Sequence, residues 1–249
     1  MPAQKKLREA DAIFARLAEI NPAADRAEDV PRLSLGAKAT VKAGPYSRGG
    51  EGRAPRKAAD HDFRPKQKMT PHGIFLPRYD ELSPYLTTSR VTSGLMAGVL
   101  GNWWLGSKDR FGAVRAPVIN QDDGPGNKSR RTQFLKRIVG FARESRLLVR
   151  LAHYPPHHGK YNPIEHCWGV LENHWNGDVL DEVETVLASA RTMTWDGKHP
   201  KVELLTTAYP KGARLPKKEM LEVEKEVERL PDLADWLVDI PGGVIHLRG

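Results

Sequence analysis

Two acidic side chains lie at positions from which they could bind a metal ion. Asp122 follows the apolar segment VIN at residues 118–120, so a strand there would present its carboxylate at the carboxyl end of a sheet. Glu165 follows a proline-rich loop and lies in the first turn of a helix predicted to begin at Pro163. Glu165 stands 43 positions after Asp122, which leaves room for a helix, a strand and a loop. Such a path can bring both carboxylates to one end of the sheet.

This pair of acids has the chemistry of a site that acts on phosphodiesters. Such reactions use hard oxygen ligands that hold two divalent ions about 3.5 to 4 Å apart, and carboxylates and water suit Mg²⁺ or Mn²⁺. Each acid also has a purely structural interpretation. Asp122 precedes the turn-forming segment DGPGN at 123–127, and Glu165 stands three residues after Asn162, which is the spacing of a capping box. The two acids together favour a metal site more than either does alone.

The elements predicted around these residues alternate between strands and helices. Apolar residues at helical spacing predict helices, and alternating or short apolar runs predict strands. Along the chain we predict a helix within 1–30, a strand at 32–42, a strand pair at 72–88, a helix at 89–104, a strand at 116–120, a helix at 129–145, a strand at 147–152, and helices from 162, over 180–193 and over 216–230. Trp168 and Trp175, seven residues apart, mark the buried face of the helix from 162. This order indicates an α/β protein with a mixed sheet flanked by helices, the arrangement of an RNase H-like domain.

The positive charge of the sequence is concentrated in one segment. The chain carries a net charge of +8, and residues 31–78 contain eleven Lys or Arg and three acids, so this basic block accounts for the whole excess. Lys and Arg release condensed counterions when they neutralise phosphates, which makes a polyanion such as DNA the expected partner. The alternative is a solvated loop without a partner.

Cysteine usage and hydropathy indicate the compartment. The sequence has one cysteine, Cys167, which excludes an internal disulfide framework and a cysteine-rich zinc site. No apolar run reaches the length of a membrane span, and the N-terminal segment MPAQKKLREADAIF lacks the apolar core of a signal peptide. We therefore expect a reducing compartment and a cytoplasmic location.

Two long motifs resemble those of a known family. The segments DDGPGNKSRRTQFLKR at 122–137 and YPPHHGKYNPIEHCWG at 154–169 resemble the Rhodopirellula-type DDE transposases of bacterial insertion sequences, and the likeness extends from about Ala12 to Ile240. The resemblance implies DNA cleavage and strand transfer with Mg²⁺ or Mn²⁺, with transposon ends and target DNA as partners, and it leaves homo-oligomerisation open. The implied domains are an N-terminal helix and linker at 1–30, an RNase H-like catalytic core at 31–195 and a helical C-terminal extension at 196–249.

The resemblance assigns a role to each acid and leaves one role without a residue. It implies that Asp122 is the second catalytic and metal-binding carboxylate and that Glu165 is the third. The family carries its first carboxylate at the end of the first strand, in a pattern like S-I-D-T-K-A-K. The matching residues here are SLGAKA at 34–39, which place Gly36 at that position. Glycine has no side chain with which to bind a metal.

Other positions depart from the family pattern in a similar way. Gly94 and Gly98 stand where the pattern suggests aspartates, and Gly126 stands where the family segment D-N-G-P-E-N has Glu. The sequence also starts near the core, and we expect the upstream helix-turn-helix region of a full transposase to be missing. The resemblance thus implies a degenerate copy, a pseudoenzyme with weak or no activity.

Six basic residues are the candidates for contacts with DNA phosphates. They are Lys38, Lys42, Arg48, Arg53, Arg130 and Arg131. The first four belong to the basic block and the last two to the first long motif. Each of them can instead be an ordinary surface charge.

Three hypotheses follow for the function. The first is a DDE transposase core by descent, with impaired activity. The second is a non-enzymatic DNA-binding or transposase-interfering protein that keeps the basic block and performs no cleavage. The third is a different RNase H-like nuclease in which Asp60 or Asp62 takes the place of the first aspartate, and Asp123 is a further candidate for that substitution.

Overall fold

In the computed structural model, residues 9–45, 67–122, 132–156, 158–209 and 215–243 are described. They contain six helices and nine strands. The helices are α1 (Ala10–Arg26), α2 (Ser93–Ser107), α3 (Thr132–Ser145), α4 (Pro163–Trp175), α5 (Val183–Thr192) and α6 (Lys217–Glu224). The strands are β1 (Arg32–Ala37), β2 (Val41–Ala43), β3 (Gln67–Leu76), β4 (Glu81–Thr87), β5 (Val118–Asp122), β6 (Val149–Tyr154), β7 (Glu203–Leu205), β8 (Glu228–Arg229) and β9 (Leu237–Ile240).

The chain divides into two compact units made of alternating segments. Unit 1 comprises Met1–Leu35, Thr92–Asn162 and Pro210–Gly249, and unit 2 comprises Gly36–Val91 and Pro163–Tyr209. Each unit combines parallel and antiparallel strand pairs with helices, which confirms the predicted α/β class with mixed strand pairing.

The strands of unit 1 follow the order β1-β5-β6-β9-β8. β1, β5 and β6 run parallel, and α3 forms the crossover between β5 and β6. β9 is antiparallel to β6, and β8 is antiparallel to β9. Asp122, the last residue of β5, has Tyr154 of β6 as its register partner, and Gln121 pairs with Leu35 of β1. The carboxyl ends of these parallel strands therefore lie at the same edge of the sheet.

A hydrophobic core joins α1 to the sheet of unit 1. Ile13 and Leu17 of α1 are buried at helical spacing against Val118 and Ala152 of the parallel strands and against Trp236. The ends of β5 and β6, which carry Asp122 and Tyr154, are therefore part of a packed framework and not of an isolated strand pair.

Unit 2 contains a long antiparallel hairpin and two packed helices. β3 and β4 pair over seven residues, and the connection between them ends at Asp80, which adopts a left-handed conformation with φ of 48°. β2 pairs with β3, and β7 runs parallel to β4. Trp168 and Trp175 of α4 are both buried in one core cluster with residues of β3, β4 and α5, so the predicted buried stripe is confirmed.

The predicted strand at 32–42 is two strands in the structure. β1 ends at Ala37, and the backbone N–H of Lys38 donates to the carbonyl of Pro71 at 2.9 Å before β2 begins at Val41. Val41 and Ala43 then enter the core of unit 2. A break after Ala37 allows the chain to turn from one strand pairing to another, which alternation of residue types alone does not show.

The C-terminal segment differs from its prediction in part. The helix predicted over 216–230 is shorter, because α6 ends at Glu224 and β8 follows it. Arg229 pairs with Val238 in the β8–β9 ladder, and its guanidinium donates to both carboxylate oxygens of Glu224 at 2.8 and 2.9 Å. Only Val223 of α6 is buried. A helix with so little buried surface does not extend against the competing strand pairing.

Cys167 is a core residue of α4. Burial raises the pKa of its thiol to about 12, and the charges of Asp80 and Glu165 add to the rise. Such a thiol stays protonated at neutral pH and behaves as a small apolar group.

None of the helices in the described part of the chain has the length and hydropathy that a bilayer crossing requires.

Candidate functional site

Asp122 is the last residue of β5 and is half-buried. Its Oδ1 accepts a hydrogen bond from the side-chain Nδ2 of Asn162 at 3.2 Å. Burial raises the pKa of the Asp122 carboxyl, and the hydrogen bond from Asn162 partly opposes the rise. The structure therefore places this carboxylate at the carboxyl end of a parallel strand, as the sequence predicts, with one of its oxygens held by a neighbour.

Asn162 uses its buried side chain to connect β1 with β5. Its Oδ1 accepts a hydrogen bond from Ser34 Oγ at 2.5 Å, and its Nδ2 donates to the carbonyl of Leu35 at 2.8 Å as well as to Asp122. The sequence favoured a helix cap at Asn162. The structure corrects this interpretation, because the amide is engaged with the two strands.

Gly159 lies against the second oxygen of the same carboxylate. A Cβ built at Gly159 would stand 2.8 Å from Asp122 Oδ2 and 3.2 Å from its Cγ, distances at which something has to shift. Gly159 begins the short 3-10 helix Gly159–Tyr161, so the loop that leads to Asn162 passes directly over Asp122. Any larger residue at 159 would push the carboxylate away.

A partly buried polar network in unit 1 begins at Asn120 of β5. Asn120, two residues before Asp122 and therefore on the same face of β5, accepts from Arg32 at 3.3 Å and donates to Asn21 at 3.0 Å. Arg32 forms two hydrogen bonds with Asp25, at 2.8 and 2.6 Å. Asn21 in turn donates to the hydroxyl of Tyr154 at 3.3 Å. The sequence analysis missed this network, although the spacing of Asn120 and Asp122 on one strand was a signal for it.

Gly36 and Glu165 lie together in unit 2. A Cβ built at Gly36 would stand 3.1 Å from Glu165 Oε1 and only 2.7 Å from Ile164 Cγ2. Glu165 lies in the first turn of α4, as predicted, and is half-buried. The third carboxylate of the predicted set thus faces the position at which the first is lacking, and a methyl group fills the space where a side chain would begin.

Trp168 carries a buried donor close to the same position. Its Nε1 lies 3.7 Å from the point where a Cβ of Gly36 would stand, and it has no hydrogen-bond partner within the part of the chain that is described. A buried N–H without an acceptor destabilises a fold by about 1 to 3 kcal/mol.

The donor chemistry of Asp122 and Glu165 fits a hard divalent cation, since both offer carboxylate oxygens. Glu165 Oε1 lies 3.1 Å from the point where a Cβ of Gly36 would stand, and Gly36 itself supplies no ligand. Among the described residues, no group of three or more His, Cys, Asp or Glu side chains is arranged to hold a metal. Asp60, Asp62 and Asp123, the proposed substitutes for the first carboxylate, lie outside the described residues.

The candidate DNA contacts fall into two groups. Lys38 is nearly buried, with 11% of its side chain exposed, and it forms an ion pair with Glu172 while its ammonium lies 6.0 Å from the centre of the Trp175 ring. Lys42 is exposed on β2, directly opposite Lys68 of β3. Arg48, Arg53, Arg130 and Arg131 lie outside the described residues. Of the two candidates that are described, Lys42 is the more exposed.

Comparison with known proteins gives the family. The sequence model of the family described as "Rhodopirellula transposase DDE domain" matches residues 1–241, and the chain therefore belongs to this family. Among solved structures, the chain is similar to the transposase in "Mos1 transposase paired-end complex with left transposon end", with 11% sequence identity and a TM-score of 0.46 over 75% of this chain. The chain covers 54% of that transposase, about half of its length. No curated protein matches the sequence.

Proposed function

We propose that this chain is a DDE transposase core that has lost much or all of its activity. In the proposed reaction, water cleaves a phosphodiester at a transposon end and releases a 3′ hydroxyl, which then attacks a phosphodiester of target DNA. The observation that carries the proposal is the environment of Asp122, a strand-end carboxylate held by the buried amide of Asn162 and approached by Gly159. Membership of a transposase family supports the same reaction class.

Asp122 and Glu165 are the proposed second and third carboxylates, with Mg²⁺ or Mn²⁺ as the cofactor. Divalent ions held by such carboxylates polarise a phosphodiester and activate the attacking water. The residues of this chain supply the oxygen ligands and fix their direction. Asn162 holds one oxygen of Asp122, and α4 directs Glu165 Oε1 towards position 36.

The proposed loss of activity rests on Gly36. It offers no ligand, and the atoms nearest to a Cβ built there are Ile164 Cγ2 at 2.7 Å and Glu165 Oε1 at 3.1 Å, so the one carboxylate among these neighbours is that of Glu165, the proposed third ligand. An ion that needs the first carboxylate would be held by fewer ligands, and its affinity would fall accordingly. We infer that the chain is a pseudoenzyme or a severely impaired transposase.

A strand-transfer assay with Mn²⁺ tests this proposal. The wild-type chain is compared with Gly36→Asp and with Gly36→Ala, which adds the same Cβ without a ligand. We expect the strand-transfer activity of Gly36→Asp to be at least about tenfold higher than that of the wild type, because even the outer partners of metal ligands change activity about tenfold or more. Gly36→Ala should gain nothing. A wild-type chain as active as Gly36→Asp would contradict the loss, and a folded but inert Gly36→Asp would show that Gly36 is not its whole cause.

A non-enzymatic DNA-binding function is the second candidate. The excess charge within residues 31–78 and the pair of exposed lysines, Lys42 and Lys68, favour it. We expect duplex DNA to bind without nicking and with a strong salt dependence, to which each phosphate contact contributes a slope of about 0.9. Lys42→Gln should reduce the slope by about that amount because the Lys42 side chain is exposed, whereas the matched variant Lys38→Gln should leave it unchanged because the Lys38 side chain is nearly buried. Absence of binding at low ionic strength would remove this candidate.

The remaining parts of the proposal concern partners and location. We propose transposon-end and target DNA as the partners and a cytoplasmic location, where both are accessible in a bacterium. Fractionation of cells that express the chain checks the location. Light scattering with and without DNA checks whether two copies assemble, as an end-pairing role would require.

A further inference from the structure

The loop before α4 contacts Asp122 at two points that are three residues apart. Asn162 donates to Oδ1 at 3.2 Å, and Gly159 approaches Oδ2 so closely that a Cβ would stand 2.8 Å away. All of these residues belong to unit 1. The carboxylate is thus bordered on one side by a hydrogen-bond donor and on the other by a glycine whose substitution would require the carboxylate to shift.

The orientation of the Asn162 amide is determined by its partners. The Leu35 carbonyl can only accept, so the amide nitrogen must face it, and Nδ2 donates there at 2.8 Å. The hydroxyl of Ser34 donates to Oδ1 at 2.5 Å, which fixes the oxygen on the opposite side. With one N–H committed to Leu35, the second N–H of Nδ2 remains for Asp122. A flipped amide would face the Leu35 carbonyl with an oxygen and would lose this bond.

Burial makes this arrangement rigid. The side chains of Asn162 and Ser34 are both fully buried, with 0% exposure, so water does not compete for their bonds. A hydrogen bond to an ionised carboxylate is also stronger than one between neutral groups. Oδ1 of Asp122 is therefore held towards Asn162, and the direction in which Oδ2 can point is restricted by Gly159.

We propose that Asn162 is a positioning residue, which links the end of β1 to the carboxylate of Asp122 and holds that carboxylate in the orientation that a divalent cation requires. This inference rests on the proposed function, in which Asp122 is a metal ligand. Outer partners of metal ligands typically change metal affinity or activity by about 10- to 100-fold when they are removed. A purely structural asparagine would change the stability of the fold and nothing else.

The first test measures the orientation of Asp122 in the full chain without metal. Three-bond couplings to the Asp122 Cβ protons report its side-chain rotamer by NMR. We expect a single rotamer in the wild type, averaging in Asn162→Ala, and a single rotamer in Ser34→Ala, which removes one bond of Asn162 and leaves the amide on Asp122. If Asn162→Ala does not fold, Asn162→Ser serves instead, because its hydroxyl is too short to reach the carboxylate. A single, unchanged rotamer in the Asn162 variants would overturn the proposal.

The second test measures binding of Mn²⁺ to the same variants by electron paramagnetic resonance. We expect the Mn²⁺ dissociation constant to rise about 10- to 100-fold in Asn162→Ala, and to change by less than about twofold in Ser34→Ala, although both variants lower the unfolding midpoint. Wild-type Mn²⁺ affinity in Asn162→Ala would overturn the proposal.

Asp122→Asn separates this inference from the proposed function. If Asp122→Asn binds Mn²⁺ as the wild type does, Asp122 is not a metal ligand and the proposed function fails. In that case the metal-holding part of the inference fails with it, and the rotamer measurement still decides whether Asn162 positions the side chain.

Discussion

Asp122 in unit 1 and Gly36 in unit 2 are the residues predicted from the sequence to correspond to two aspartates of the family, and their surroundings differ. Around Asp122 the neighbours are polar and fitted to a carboxylate: Asn162 donates to it and Gly159 leaves room for it. Around a Cβ built at Gly36 the nearest atoms are the methyl Cγ2 of Ile164 and Oε1 of Glu165, and the indole N–H of Trp168 is buried without an acceptor among the described residues.

If Gly36 has replaced a carboxylate, as proposed, the difference shows what such a loss leaves behind. The carboxylate of Asp122 has a hydrogen-bond donor, Asn162, on one oxygen and a glycine beside the other. At Gly36 a buried indole donor lies near an apolar contact, with the carboxylate of Glu165 beside them.

The comparison is tested most strongly by filling the space beside Asp122. Gly159→Ala places a Cβ 2.8 Å from Asp122 Oδ2, and we expect it to lower the free energy of unfolding by about 1 to 3 kcal/mol. Gly169→Ala in α4 is the matched control, because nothing lies within 4 Å of its Cβ and alanine favours a helix by about 0.8 to 1 kcal/mol. Urea unfolding of both variants measures the difference. Equal changes in the free energy of unfolding of the two variants would show that Gly159 does not pack closely against Asp122.

A smaller change in stability is expected at Gly36. Gly36→Ala brings a Cβ within 2.7 Å of Ile164 Cγ2, and Ile164→Leu moves that methyl group away from the β-carbon. A double-mutant cycle should therefore give a favourable coupling of about 1 kcal/mol between the two changes. Additive changes in the free energy of unfolding would contradict a close contact between Ile164 Cγ2 and the Cβ of residue 36.

The smallest expected effect is a change of stability with pH that depends on Asp122. Burial raises the pKa of this carboxyl in the folded chain, so its ionised form is less favourable folded than unfolded. The stability it contributes is present below its ordinary pKa of 3.8 and is lost as the pH rises through the raised value. The stability of the wild type relative to Asp122→Asn should therefore fall with rising pH across that range in metal-free buffer. An unchanged difference across the acid range would argue that Asp122 is solvated.

Local patterns predicted the elements that carry the candidate residues. The apolar run before Asp122 gave β5, the proline at 163 gave the start of α4, and the spacing of Trp168 and Trp175 gave its buried face. The short strands β8 and β9 were missed, because strands of two and four residues carry too few residues for alternation to show. Their pairing with each other and with β6 becomes apparent only in three dimensions.

The contacts within the site were less predictable than its elements. Asn162 lies 128 positions from Ser34 and 40 from Asp122, so its local sequence indicated a helix cap and not a link between strands. Lys38 was a candidate for DNA binding, and only the structure shows its ion pair with Glu172. Such contacts depend on which segments the fold brings together, whereas the chemistry of the two acids was evident from residue type.

The most direct test of the central claim is the Mn²⁺ affinity of the wild type, Asp122→Asn, Glu165→Gln and the double variant. If both carboxylates are metal ligands, as proposed, each single variant should weaken Mn²⁺ binding at least about tenfold, and the double variant should bind no more tightly than either single variant. Single variants that bind Mn²⁺ as tightly as the wild type would contradict the assignment of Asp122 and Glu165 as metal ligands.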